Sequence, residues 1–269
     1  MKLLKLMRSK KCLFGTKFLL IANIVAFVAV MVINYLATNL PIGGLTTWEL
    51  SDLYPNLFVP AWLTFSIWWL IYLALLWFVV WQAIDFFKKK SLWITKNIWR
   101  LFILSCMANI GWIFARHYQK LFLSVIIMIL FLIILIVLNN RVQIWKKIWS
   151  FKDKLFLQVP FSLYLGWISV ATIANISTYL VNIWRSGRWI SPVSWTIVVI
   201  IVAMILALLA LYRKRDIVFA LVVIRAFLWI ILKRLWAETV YSEIVWTAWI
   251  AIVIISAGIW YSFENWKKN

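Results

Sequence analysis

Eight stretches of the chain stay apolar long enough to cross a lipid bilayer, and short clusters of Lys and Arg separate them. They run over about 18–37, 59–84, 98–116, 121–138, 159–184, 194–212, 217–233 and 244–262. A helix rises 1.5 Å per residue, so roughly 20 apolar residues span the hydrocarbon core. The pattern predicts an all-α integral membrane protein of about eight spans. The turn at Arg213 to Asp216 is so short that spans 6 and 7 form an antiparallel hairpin. The last three spans are richer in Ile, Val and Ala and poorer in polar residues, and read as an appended unit. The expected organisation is a basic segment over 1–17, a core over 18–184, an appended unit over 185–262 and a tail over 263–269.

One stretch departs from plain lipid-facing apolarity. Tyr54 to Tyr72 reads YPNLFVPAWLTFSIWWLIY. Proline fixes φ and lacks an N–H, which suits the first helical turn, so a helix is expected to open at Pro60. At 100° per residue Trp62, Phe65, Trp68, Trp69 and Tyr72 fall within an arc of roughly 120°. So continuous an aromatic stripe suits a pocket for a flat, apolar ligand. The loop before it, 38–58, holds Pro41, Gly43, Gly44 and Pro55 with Trp48, Tyr54 and Phe58, and is expected to fold over the bundle. An interfacial role for Trp48 is the competing reading.

Composition agrees with the pattern: 66% of the 269 residues are hydrophobic and 13% charged, which leaves no soluble domain of any size. The formal net charge of +20 would suit nucleic acid, but its placement follows the loops. Of the 28 Lys and Arg, 21 lie in alternate loops starting with the N-terminus, six lie in the others, and Arg225 falls within a span. The positive-inside rule then puts both termini in the cytoplasm, in a bacterial plasma membrane. The first apolar run is too long for a signal peptide and has no clear cleavage site, so it reads as a retained anchor. Cys12 and Cys106 have neither a pairing geometry nor metal-ligand company.

Polar residues inside the spans repeat at helical spacing. Ser105, Asn109, Trp112 and Arg116 share one face of span 3. Tyr164, Trp167, Ala171, Asn175, Thr178 and Asn182 share one face of span 5. Buried amides and hydroxyls need partners, so both faces should turn into the bundle, either as interhelical bonds or as a pocket wall. Arg225, near the middle of span 7, has no acidic residue inside any expected span to pair with. It is a counter-ion for a ligand carboxylate or a lipid headgroup, or it bonds backbone carbonyls or Tyr and Asn side chains between helices, or it lies shallower than the span places it. The single histidine, His117, reads as a solvated residue at the outer end of span 3 rather than an iron ligand.

Three ordered motifs resemble the TspO/MBR family, the tryptophan-rich sensory proteins and mitochondrial translocator proteins. Pro60, Trp62, Trp68 and Tyr72 match the family's second helix. Asn109 and Trp112 match its third, and Trp167, Ala171, Thr172 and Asn175 its fifth. The resemblance covers about residues 15–184. The chain departs from the pattern at Val59-Pro60, where family members carry a double proline, and in its three further spans. The resemblance implies a five-helix core with a cavity open toward the loop between helices 1 and 2. The implied ligand-binding residues are Trp62, Phe65, Trp68, Tyr72, Asn109, Trp112, Trp167, Ala171 and Asn175; Arg225 lies beyond the resemblance and is a candidate anion partner on its charge and position alone. The resemblance implies tetrapyrrole ligands such as haem or protoporphyrin, or sterols as in animal members, and dimers, although no motif here fixes an interface. No cofactor or metal is expected to be required.

No carboxylate pair, nucleophile elbow or phosphate-binding glycine loop is present, so an enzyme is not expected. Three readings remain: a membrane sensor or receptor for a small hydrophobic ligand, a transporter of such ligands, and a scaffold whose extra spans dock a partner. The scarcity of prolines away from the span starts lowers the transporter reading.

Overall fold

The computed structural model describes residues 2–39, 42–54, 56–61, 64, 66–88, 92–144, 151–183 and 190–267. Among these the regular structure is helical: α1 (Lys2–Asn39), α2 (Thr47–Asp52), α3 (Ile67–Phe87), α4 (Leu92–His117), α5 (Leu121–Ile144), α6 (Phe151–Ile183), α7 (Pro192–Lys214), α8 (Ile217–Leu235) and α9 (Ser242–Lys267). Among the described residues, seven of the eight long helices are apolar and long enough to cross a membrane. The exception is α8, which at 19 residues is about 28 Å long. It misses on charge rather than length, because it carries Arg225, Lys233 and Arg234. The chain is an integral membrane protein.

Helices α1, α4, α5, α6 and α3 pack in that order as a closed ring, with α3 returning to α1. Helices α7, α8 and α9 pack on one another and join the ring mainly through α8 against α6. Gly166 makes this approach close: a Cβ there would lie 3.0 Å from Val222 Cβ and 3.3 Å from the Phe219 carbonyl oxygen. One apolar cluster runs through both groups, from Phe27 and Phe131 to Phe227 and Ile255.

The cap chemistry of the α7–α8 hairpin is fully local. Arg215 takes the left-handed conformation (φ 53°) and Asp216 caps α8, accepting from the Phe219 N–H at 3.1 Å. The other Asp216 oxygen accepts from the Ser162 hydroxyl at 2.7 Å, while Lys214 donates to Asn139 and Asn140. The hairpin is thereby tied to α5 and α6 at one end of the bundle.

At the opposite end the α1–α3 connection folds back onto the ring. A capping box holds α2: Glu49 accepts from the Thr46 N–H and hydroxyl, and Thr46 accepts from the Glu49 N–H. Those bonds keep the Glu49 carboxyl below the usual carboxylate range. Leu50 is buried, its carbonyl accepts from Arg116 at 3.4 Å, and the Arg116 guanidinium lies over the Tyr54 ring.

Two expected boundaries differ. Helix α3 opens at Ile67, seven residues after Pro60. The segment before it is held from α8 instead: the Ala61 N–H donates to the Trp229 carbonyl at 3.3 Å, and Arg225 donates to the Thr64 carbonyl at 3.1 Å. Backbone groups satisfied by a neighbouring helix gain nothing from joining their own. Helix α6 starts eight residues before the expected span, which puts Pro160 in its interior. Proline has no N–H to donate there, so the Phe156 carbonyl loses its usual helical donor.

Candidate functional site

Each helix of the ring sends a residue to one point in its interior. Trp68 and Tyr72 come from α3, Asn34 from α1, Asn109 from α4, Phe131 from α5, and Tyr164 and Trp167 from α6. Positions 68 and 72 are one turn apart, and their rings stack at 5.5 Å between centroids. Trp68 meets Trp167 edge-on at 5.9 Å and Tyr164 at 6.3 Å. Phe131 closes the opposite side of Tyr164 at 5.3 Å. These separations and edge-on angles are those aromatic quadrupoles favour.

The fully buried Asn109 is the polar centre of this group. Its carbonyl accepts from Asn34 Nδ2 at 2.8 Å, and its own Nδ2 donates to the Tyr164 hydroxyl at 3.1 Å. In a medium without water each of those bonds removes a desolvation penalty. The buried Trp112 Nε1, one turn along α4 from Asn109, has no hydrogen-bond partner among the described residues, and the buried Tyr72 hydroxyl lies beside Asn109. A ligand acceptor would find the indole N–H unused.

The residues implied by the resemblance divide accordingly. Trp68, Tyr72, Asn109 and Trp167 come together. Trp62 and Phe65 lie outside the described residues. Trp112 and Ala171 are half-buried and packed against the same apolar cluster. Asn175 instead exchanges hydrogen bonds with Ser124 of α5, at 3.2 and 3.4 Å, and so stitches two helices. Trp69 leaves the expected stripe: at 67% exposure it stands on the outside of the ring. Adjacent residues lie 100° apart, so an arc that starts at the ring interior ends in lipid.

Arg225 is held by protein. One terminal nitrogen donates to the Thr64 carbonyl, the other to the Ser66 hydroxyl at 2.8 Å, and the guanidinium lies over the Trp229 ring. The Thr64 carbonyl is a partner of the kind expected from the sequence, and the Ser66 hydroxyl is one that was not foreseen. His117, expected on the surface, is 4% exposed. Its Nδ1 donates to the Ile113 carbonyl at 2.9 Å, while Nε2 has no partner among the described residues. The described residues contain no cluster of three or more His, Cys, Asp or Glu able to hold a metal ion. The expectation that spans hold no acid also changes, since α3 extends past the predicted end and buries Asp85.

Sequence reasoning passed over Asn34 and did not put Tyr164 among the binding residues. Asn34 was an amide in a long apolar run, the same signal that singled out Asn109. A second region was missed altogether. A cavity of about 410 Å³ opens at the loop end of the bundle, among Asn56, Val59, Ser177, Trp195, Arg234 and Tyr241. None of Trp68, Tyr72, Asn109, Trp112, Trp167, Ala171 and Asn175 lines it.

A family model described as TSPO-like protein matches residues 20–261, a range that takes in α7, α8 and α9 as well as the ring. No curated protein and no solved structure matches the chain.

Proposed function

Since the chain belongs to the TSPO-like protein family, we propose that it is a membrane receptor for a flat lipophile bound inside the five-helix ring. The observation that carries this reading is the convergence of all five helices on one aromatic group with a hydrogen-bonded amide at its centre. Flat rings stack on Trp68 and Tyr72, and polar edges meet the Tyr72 hydroxyl and Trp112 Nε1. Tetrapyrroles such as protoporphyrin and haem have that shape and polarity. They enter as ligands, not as a resident cofactor, and the protein acts by binding rather than by catalysis. The rings already touch one another, so the ligand takes its place by displacing them, and that displacement is the signal a receptor needs.

The basic loops orient this site. Both termini lie in the cytoplasm of a bacterial cell, and the α1–α3 loop faces outward. Transport of the same ligands is a second reading, favoured by Pro160, whose break in the α6 hydrogen-bond ladder falls one turn before Tyr164.

Titration of the protein in nanodiscs with protoporphyrin, followed by tryptophan quenching, tests the receptor reading. Wild type should saturate, and Trp167→Phe and Asn109→Ala should each weaken binding about tenfold or more, the loss of roughly 1.4 kcal/mol. Non-saturating quenching of equal slope in all three proteins means partition into lipid and removes the reading.

A further inference from the structure

The cavity at the loop end of the bundle lies about 15 Å further along α6 than the aromatic group, taking Ser177 against Trp167 at 1.5 Å per residue. At about 410 Å³ it falls in the usual range of ligand pockets, roughly 300–1,000 Å³. Its walls separate by chemistry. Leu57, Val59, Leu180 and Val181 make an apolar side, and Arg234, Lys233, Asp52, Ser177 and Tyr241 bring polar groups.

The charges are unevenly matched. Asp52 is the one acidic side chain among the described lining residues, and it pairs at 3.5 Å with Lys233. Asp52 is 62% exposed, so that pair sits in water. Arg234 is 7% exposed, and its Nε has no hydrogen-bond partner among the described residues. Ser177 is already committed, because its hydroxyl accepts from Trp195 Nε1 at 3.0 Å. Among the described residues no carboxylate pairs with Arg234, which lines the cavity beside Tyr241. Burying a cation this way is costly unless something anionic completes it. A guanidinium fork is also the side chain whose geometry matches carboxylate and phosphate oxygens.

We propose that this cavity is a binding site for an anionic amphiphile, whose carboxylate or phosphate head pairs with Arg234 while its apolar tail lies against Leu180, Val181 and Val59. The site is separate from the aromatic group and goes beyond the receptor reading. The head can belong to a free long-chain acid or to a membrane lipid. Either way, the ligand bridges α8, α6 and the segment before α3, the same segment that Arg225 holds one side away.

The test is displacement of a pyrene-labelled alkanoate from the full-length protein in uncharged maltoside detergent. Dodecanoate and dodecyl phosphate should both displace the probe, and dodecanol should fail at matched concentration. Arg234→Gln should weaken probe binding at least tenfold and Arg234→Lys should recover part of that loss. Arg213→Gln, a cation at the other end of the bundle, should bind as wild type does. A short-chain phosphatidic acid that outcompetes dodecanoate identifies the lipid as the source, and the reverse order identifies the free acid. Displacement by dodecanol as effective as by dodecanoate in wild type overturns the proposal without any variant having to fold. Equal losses in Arg234→Gln and Arg213→Gln overturn it too, because bulk charge would then explain the binding.

Discussion

The ring interior and the loop-end cavity are built on opposite principles. Inside the ring, rings fill the space and Asn34, Asn109 and Tyr164 are bonded to one another in a chain. At the loop end the space is open, and the buried cation is left incomplete. The first arrangement stabilises the protein on its own and must be disturbed by a ligand. The second carries a cost that a ligand removes. One site is therefore expected to report binding as a change of shape, the other as a gain of stability.

That contrast can be broken by substitution. The largest effect is expected where α6 packs on α8, at Gly166. Gly166→Val drives a branched side chain into Val222 and the Phe219 carbonyl, and overpacking of this kind costs about 1–3 kcal/mol. Thermal unfolding in detergent should show a lowered midpoint, with both ligand titrations weakened together. Next comes Asn109→Ala, which strands the Asn34 amide and the Tyr164 hydroxyl and should cost about 1–3 kcal/mol in the unliganded protein. Adding Tyr164→Phe should return part of that loss, a coupling that a double-mutant cycle reads directly. Arg234→Gln should behave in the opposite way. It removes an unpaired charge, so the unliganded midpoint should stay level or rise. If Asn109→Ala is neutral and Arg234→Gln strongly destabilising, the assignment of closed and open regions is reversed. The smallest effect belongs to Lys233→Gln. Its pair with Asp52 is exposed to solvent, and such pairs contribute roughly 0–1 kcal/mol.

Much of the helix layout was legible along the chain because hydrophobic run length is a local property. The turn between α7 and α8 and the span of α5 could be read from the order of apolar and basic residues. The start of α3 could not. Pro60 is a sound first-turn signal, but Arg225 and the Trp229 carbonyl, distant in sequence, claim the backbone after it. The aromatic group was legible in part: Trp68, Tyr72, Asn109 and Trp167 share helical faces that periodicity reveals. Which edge of the stripe faced inward was not, and Trp69 lies on the other side of that edge. Arg234 shows the harder limit. In the sequence it is one more charge at the end of a span, and only the packing of α6, α7 and α8 around it makes it buried. Asn175 shows a further limit: its spacing suits both a pocket wall and a helix-to-helix bond, and only the packing of α5 on α6 reveals the bond to Ser124.

Photocrosslinking with a diazirine-bearing protoporphyrin, followed by peptide mass spectrometry, addresses the ring interior most directly. Saturable adducts on the α3 and α6 peptides that carry Trp68 and Trp167, suppressed by unlabelled protoporphyrin, are the predicted result. Adducts confined to the α9 peptides that carry the exposed Trp246 and Trp260, rising linearly with probe, would contradict it, because those residues stand on the outer surface of the bundle.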